Sequence, residues 1–138
     1  MTKKYFKTSF IYLIFGLFLG AFYREYTRII GFTGLTSLRV AHTHTLVLGF
    51  ILFLILSIFA KSFDIKEDKK EKRFFKTYNF ALILVISTII ARGFYQIYDL
   101  DSASLSAAIS GIAGIGHIAI SFAFYFLYVY LKSFIDEK

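Results

Sequence analysis

Residues 37–50 read SLRVAHTHTLVLGF, and the chain then continues without another charge to Ala60. An apolar run of that length is a candidate transmembrane helix. Histidine and arginine are costly inside such a run, so their presence at its head marks it as a place of function. Outward from it lie three more apolar segments. The expected helices cover about residues 6–26, 38–63, 77–98 and 105–134, and the fold class expected is all-α, an integral membrane four-helix bundle in one domain.

Composition supports this and excludes other classes. Apolar residues make up 57% of the 138, with 18 Phe and 10 Tyr, and the mean hydropathy is +0.65. The net charge of +7 does not indicate nucleic acid, because the charges cluster beside the apolar segments. The absence of cysteine rules out disulfides, thiolate metal sites and covalent haem attachment. Lys3, Lys4 and Lys7 resemble the charged start of a signal peptide. No small-residue cleavage pattern follows, and Arg24 and Glu25 come next, so a retained helix is expected.

Between the helices, residues 29–37 (IIGFTGLTS) read as a loop with Ser37 as an N-cap, residues 61–76 as a solvated connection, and residues 99–104 as a turn. Gly16 and Gly20, and the small-residue face of Ser106, Ser110 and Gly114 with Ala107 and Gly111, would let helices approach closely. These faces make a homo-oligomer a possible partner state.

Twelve Lys and Arg residues fall at the termini and in the 61–76 connection, against four on the other side: Arg24, Arg28, Arg39 and Arg92. Both termini are therefore expected in the cytoplasm. A rise of ~1.5 Å per residue, counted from the cytoplasmic ends, puts Glu25 at about 27 Å, His42 at about 28 Å and His44 at about 26 Å. The same count gives about 24 Å for Arg92 and about 22 Å for His117. All four helices thus bring ionisable residues to one layer near the outer face.

The three histidines, His42, His44 and His117, are the natural metal ligands of this layer. His42 and His44 stand at i and i+2, about 200° apart on a helix, so one faces the bundle and the other a second surface. The His42 side continues through Leu46, Gly49 and Phe53; the His117 side carries Ser110, Ala113, Gly114, Ser121 and Phe124. Gly49 and Gly114 would leave room for a flat macrocycle, and bis-histidine ligation of haem b between two helices needs little more. Arg24, Arg39 and Arg92 would suit its propionates. The plainer readings are hydrogen-bonded histidines, glycines that serve helix packing, and an Arg24–Glu25 pair.

Leu38, Arg39, His42 and Thr43 resemble the Leu-Arg-x-x-His-Thr pattern of the second helix in haem–copper oxidases and nitric oxide reductases. That resemblance implies His42 as the axial ligand of a low-spin haem, and a trimer by analogy with the three four-helix arcs of those enzymes. Over its full length, through FYRE, HTHxLVLG and GxGH, the chain resembles a family of small uncharacterised bacterial four-helix membrane proteins. This implies a multi-pass protein of the bacterial cytoplasmic membrane and no particular activity.

Three functional readings follow. The first is a membrane haem b protein serving electron transfer, sensing or haem handling, with His42 and His117 as ligands. The second is a copper or zinc site of His42 or His44, His117 and Glu25, for metal handling or metal-assisted hydrolysis. The third is a cofactor-free assembly or structural subunit of a membrane complex. Under every reading the lipid bilayer is a partner, and a homo-oligomer would be a trimer or dimer.

Overall fold

The computed structural model describes residues 1–63, 65 and 67–135. They form four helices and no strand: α1 (Thr2–Ile29), α2 (Leu38–Ser62), α3 (Lys69–Ile97) and α4 (Ala103–Ile135). Each is long and apolar enough to cross a membrane.

Two helices begin in charged sequence that hydropathy alone would leave outside. α3 starts at Lys69 because the Asp68 carboxylate accepts the Glu71 N–H at 2.7 Å, capping the helix. The first turns then bury Glu71, Phe74 and Tyr78. α1 starts at Thr2, and its Lys4 Nζ lies 2.8 Å from the Glu71 carboxylate and 3.3 Å from that of Glu67. Residues 69–76 are thus helix rather than connection, with a charged outer face over a buried inner one.

Within α2, residues Thr45–Ile51 form a π-helix between two α-helical pieces. Buried positions in this region recur every fourth residue: Ala41, Thr45, Gly49, Phe53 and Ser57. In an α-helix such a stripe would drift by about 40° at each step. The wider turn absorbs the drift and keeps the stripe facing α1. Leu46 fills the space beside Gly16, and the His42 ring lies against Gly20. The glycine pair of α1 is therefore used inside the chain, against α2.

The core sits at the end of the bundle that holds the chain's N-terminus. Phe53 is fully buried, with ring centroids of Tyr5, Phe75 and Tyr78 at 5.7 Å and of Tyr12 at 5.9 Å. The Tyr12 hydroxyl donates to Asn79 at 2.8 Å, joining α1 to α3. At the other end, Gly93 of α3 meets the start of α2 so closely that a Cβ there would come 2.7 Å from the Leu38 backbone nitrogen. Thr36 donates to the Gly93 carbonyl at 2.9 Å, and the Ser37 N–H donates to Gln96. Ser37 was expected to cap α2 through its side chain; the Thr36 hydroxyl accepts the Leu38 N–H instead.

α4 approaches α3 alone at backbone distance. Four of its five buried described residues, Ile109, Gly116, Ala123 and Tyr130, recur at seven-residue spacing, with Leu127 between the last two, the narrow seam of a helix packed on one neighbour. Much of the rest of α4 carries exposed apolar side chains, including Ile112, Ile115, Ile118 and Phe122.

Candidate functional site

α2 and α4 both lean on α3 without closing on each other, and a cleft of about 380 Å³ is left between them. Ser37, just before α2, and Val40 and His44 of α2 form one wall, with Thr88, Ile89 and Arg92 of α3 as the floor. Ile109, Ser110, Ala113 and His117 of α4 form the other wall. His44 and His117, from two helices, line one space.

Their rings are oriented the same way. His44 Nδ1–H donates to the Val40 carbonyl at 2.9 Å, and His117 Nδ1–H donates to the Ala113 carbonyl at 2.8 Å. A carbonyl oxygen can only accept, so each of these bonds puts the proton on Nδ1 and leaves the lone pair on Nε2. A backbone carbonyl holding Nδ1 is also the usual support behind a metal-binding imidazole.

Arg92 gives the cleft a fixed cation. Its guanidinium donates to the Ser106 hydroxyl and carbonyl, both at 2.8 Å, and to the Ser110 hydroxyl at 2.6 Å. It lies 5.4 Å from the Tyr95 ring. No carboxylate pairs with it among the described residues. A charge held by neutral groups in a cleft attracts an anionic one.

The remaining expected site residues lie elsewhere. His42 points at α1: Gly20 is its neighbour, Nε2 is 3.4 Å from the Thr43 hydroxyl, and Nδ1 is buried with no hydrogen-bond partner among the described residues. The His42 side of α2 does continue through Leu46 and Gly49, but it is the side packed on α1. The space over Gly49 is filled by Tyr12, whose ring a Cβ would meet at 2.4 Å. Gly114 has no neighbour within 4 Å of such a Cβ. Arg39 borders an adjoining hollow of about 250 Å³ with Leu35, Thr36 and Gln96, which shares Ser37 and Val40 with the cleft. Glu25 pairs with Arg28 and lies 3.7 Å from Arg24. The set of His42 or His44, His117 and Glu25 is therefore not brought together. No group of three or more His, Asp and Glu suited to a metal ion occurs among the described residues.

The pair brought to one cavity is His44 and His117, whereas the reductase-like motif points to His42. The i, i+2 separation correctly implies that one histidine faces away. Which one does so depends on how α2 is rotated, and the π-helix that follows His44 holds Leu46 and Gly49, like His42, against α1. Sequence reasoning also missed the role of Ser106 and Ser110. They stand one turn apart on α4 and read as a packing face, but they hold Arg92.

Residues 2–134 match the sequence model of a family described as "Protein of unknown function (DUF2871)". No curated protein and no solved structure matches the chain.

Proposed function

Because the chain belongs to the DUF2871 family, whose description assigns no activity, its function must be read from its own residues, and we propose that it is a multi-pass membrane protein binding haem b in the α2–α3–α4 cleft. The observation that carries this reading is the pair of imidazoles from facing helices, each tied at Nδ1 to a backbone carbonyl, in one cleft with an arginine that pairs with no carboxylate among the described residues. The donor set suits the cofactor: two neutral nitrogens for iron and a guanidinium for a carboxylate at its rim. His44 takes the place of His42 in the ligand pair, with His117 as its partner, and Arg92 is the propionate anchor. A cleft of about 380 Å³ is within the range of small-molecule sites.

When bound, haem supplies one-electron redox chemistry. The chain's own contribution is to fix both rings through the Val40 and Ala113 carbonyls and to place a positive charge at the cleft wall. Electron transfer, sensing or haem handling all follow from such a site. A bare copper or zinc ion is less well served, since Glu25 lies apart and two imidazoles leave a tetrahedral site half filled.

The test is the visible absorption spectrum of protein purified from haem-replete cells. His44→Ala and His117→Ala should each abolish the low-spin spectrum or leave a five-coordinate, high-spin species. His42→Ala should retain it. Arg92→Gln should lower haem retention several-fold with an unchanged spectrum, because the arginine reaches the periphery of the cofactor. Absence of haem from the wild-type protein after reconstitution would overturn the reading, and metal without haem would move it to the copper or zinc alternative. Loss of haem in His42→Ala alone would restore the motif-based assignment.

The topology proposed with it, both termini in the bacterial cytoplasm, rests on the twelve-to-four split of basic residues. A reporter fused after Lys138 should be active only in the cytoplasm. Activity only outside would invert the topology.

A further inference from the structure

Two hollows lie one above the other where α1 begins and α2 ends, and both are lined by Thr2, Lys3 and Lys61. The lower one, about 320 Å³, is completed by Phe6, Leu54, Ser57 and Ile58 and is apolar. The upper one, about 540 Å³, lies against Met1, Ala60, Ile65 and Glu67. Together they form a groove that passes from apolar side chains to lysine ammonium groups at the helix ends. The Ser57 hydroxyl, which donates to the Thr2 carbonyl at 3.2 Å, ties its two walls.

Charge decides what fits. Glu67 is already matched by the N-terminal amine at 3.4 Å and by Lys4 at 3.3 Å. Lys4 is also held by buried Glu71. Lys3 and Lys61 form no ion pair among the described residues. Among the described residues the groove therefore offers two cations without an ion-pair partner above an apolar trough, on the proposed cytoplasmic side. We propose that it is a binding site for one anionic phospholipid, with the headgroup phosphate between Lys3 and Lys61 and an acyl chain along Phe6, Leu54 and Ile58. Lysine suits this role as a flexible point charge for phosphate. The inference rests on the membrane part of the proposed function and not on the cofactor.

The experiment is native mass spectrometry of the membrane-extracted protein, titrated with phosphatidylglycerol and phosphatidylcholine of identical acyl chains. One phosphatidylglycerol should be retained per chain in preference to phosphatidylcholine. Each lysine is expected to contribute about five-fold to that preference, so Lys3→Gln with Lys61→Gln should reduce it about 25-fold. Lys69→Gln with Lys70→Gln, which alters charges outside the groove, should leave it intact. Ile58→Trp should weaken binding of both lipids by filling the trough. Unchanged preference in the Lys3/Lys61 variant, or equal retention of the two lipids by wild type, would overturn the proposal. Displacement by millimolar glycerol phosphate would overturn the lipid assignment in favour of a free-phosphate site. A protein recovered in the soluble fraction would instead defeat the membrane reading. The two failures are thus distinguishable.

Discussion

Around Phe53 of α2, four aromatic rings from α1 and α3 crowd within 6 Å centroid to centroid, whereas around His44 the side chains of α2, α3 and α4 leave about 380 Å³ between them. The cause is how many helices meet. α1 follows α2 along its length and reaches α3 through the side chains of Tyr12 and Lys4, so side chains of three helices meet around Phe53, beside a hollow of about 430 Å³ left between α1 and α3. At the other end α4 touches α3 alone, and the space between α2 and α4 stays open. In a bilayer, lipid tails are as apolar as side chains, so packing rather than burial holds helices together. The aromatic end can therefore carry the stability while the cleft end is left free to bind.

The sharpest way to break that contrast is to add the same atoms at both ends. Gly49→Ala would place a Cβ 2.4 Å from the Tyr12 ring. Retreat of that ring toward the adjoining 430 Å³ hollow is opposed by its stack on Phe53, with an interplanar angle of 2°, and by its hydroxyl bond to Asn79. A loss of about 2 kcal/mol is expected, read as a fall of several degrees in the melting temperature in detergent. Gly114→Ala meets nothing within 4 Å and should leave the melting temperature unchanged or raise it by up to about three degrees, because alanine favours the helix. Equal losses would mean that a second copy covers the Gly114 face and that the openness of α4 belongs only to the single chain.

A smaller effect on stability is expected at the histidines, and its pattern sharpens the same comparison. His117 is exposed and its ring is bonded only within its own helix, so His117→Ala should leave the melting temperature of the cofactor-free protein nearly unchanged. His42 packs on Gly20, and removing its ring opens a gap between α1 and α2. His42→Ala should cost about 1 kcal/mol while sparing the cofactor. The reverse ordering would place His117 in the scaffold and His42 in the site.

Much of this was legible before any coordinates. Four apolar segments give four helices because a bilayer-length run has few other outcomes. Counting depth from the lysines puts Glu25, His42, His44, Arg92 and His117 at one level; of these five, His44, Arg92 and His117 line one cleft and Glu25 and His42 do not. What the residues did not declare was rotation. Ala41, Thr45, Gly49, Phe53 and Ser57 are four apart, and only a widened turn keeps such a stripe on one face. His42 and His44 share the α-helical piece before that turn, so their offset of about 200° leaves one of them on the cleft and the other against α1. Charge density misled at residues 69–76 for a related reason: hydropathy averages over a helix that is charged outside and carries Phe74 and Glu71 inside.

The mildest expected effect lies at the rim of the aromatic end, where Glu67 bridges the N-terminal amine and Lys4. Partial burial pushes its carboxyl pKa up, but the hydrogen bond and charge of Lys4 and the N-terminal amine outweigh this and hold it below the usual carboxylate range. A folded-state pKa that is depressed means the ionised form stabilises the fold. That contribution is complete above the ordinary carboxyl value, about 4.3, and is lost as pH falls through the lowered one. Glu67 is largely exposed, so the effect is small and screened by salt. Melting temperature measured from pH 7 down to pH 3 should therefore fall slightly less steeply for Glu67→Gln than for wild type, with the two curves converging at the acid end. High salt should shrink the difference. Curves that diverge as pH falls would mean that Glu67 stabilises the fold in its protonated form, and the ion pairs that tie α1 to the start of α3 would then rest on Glu71 alone.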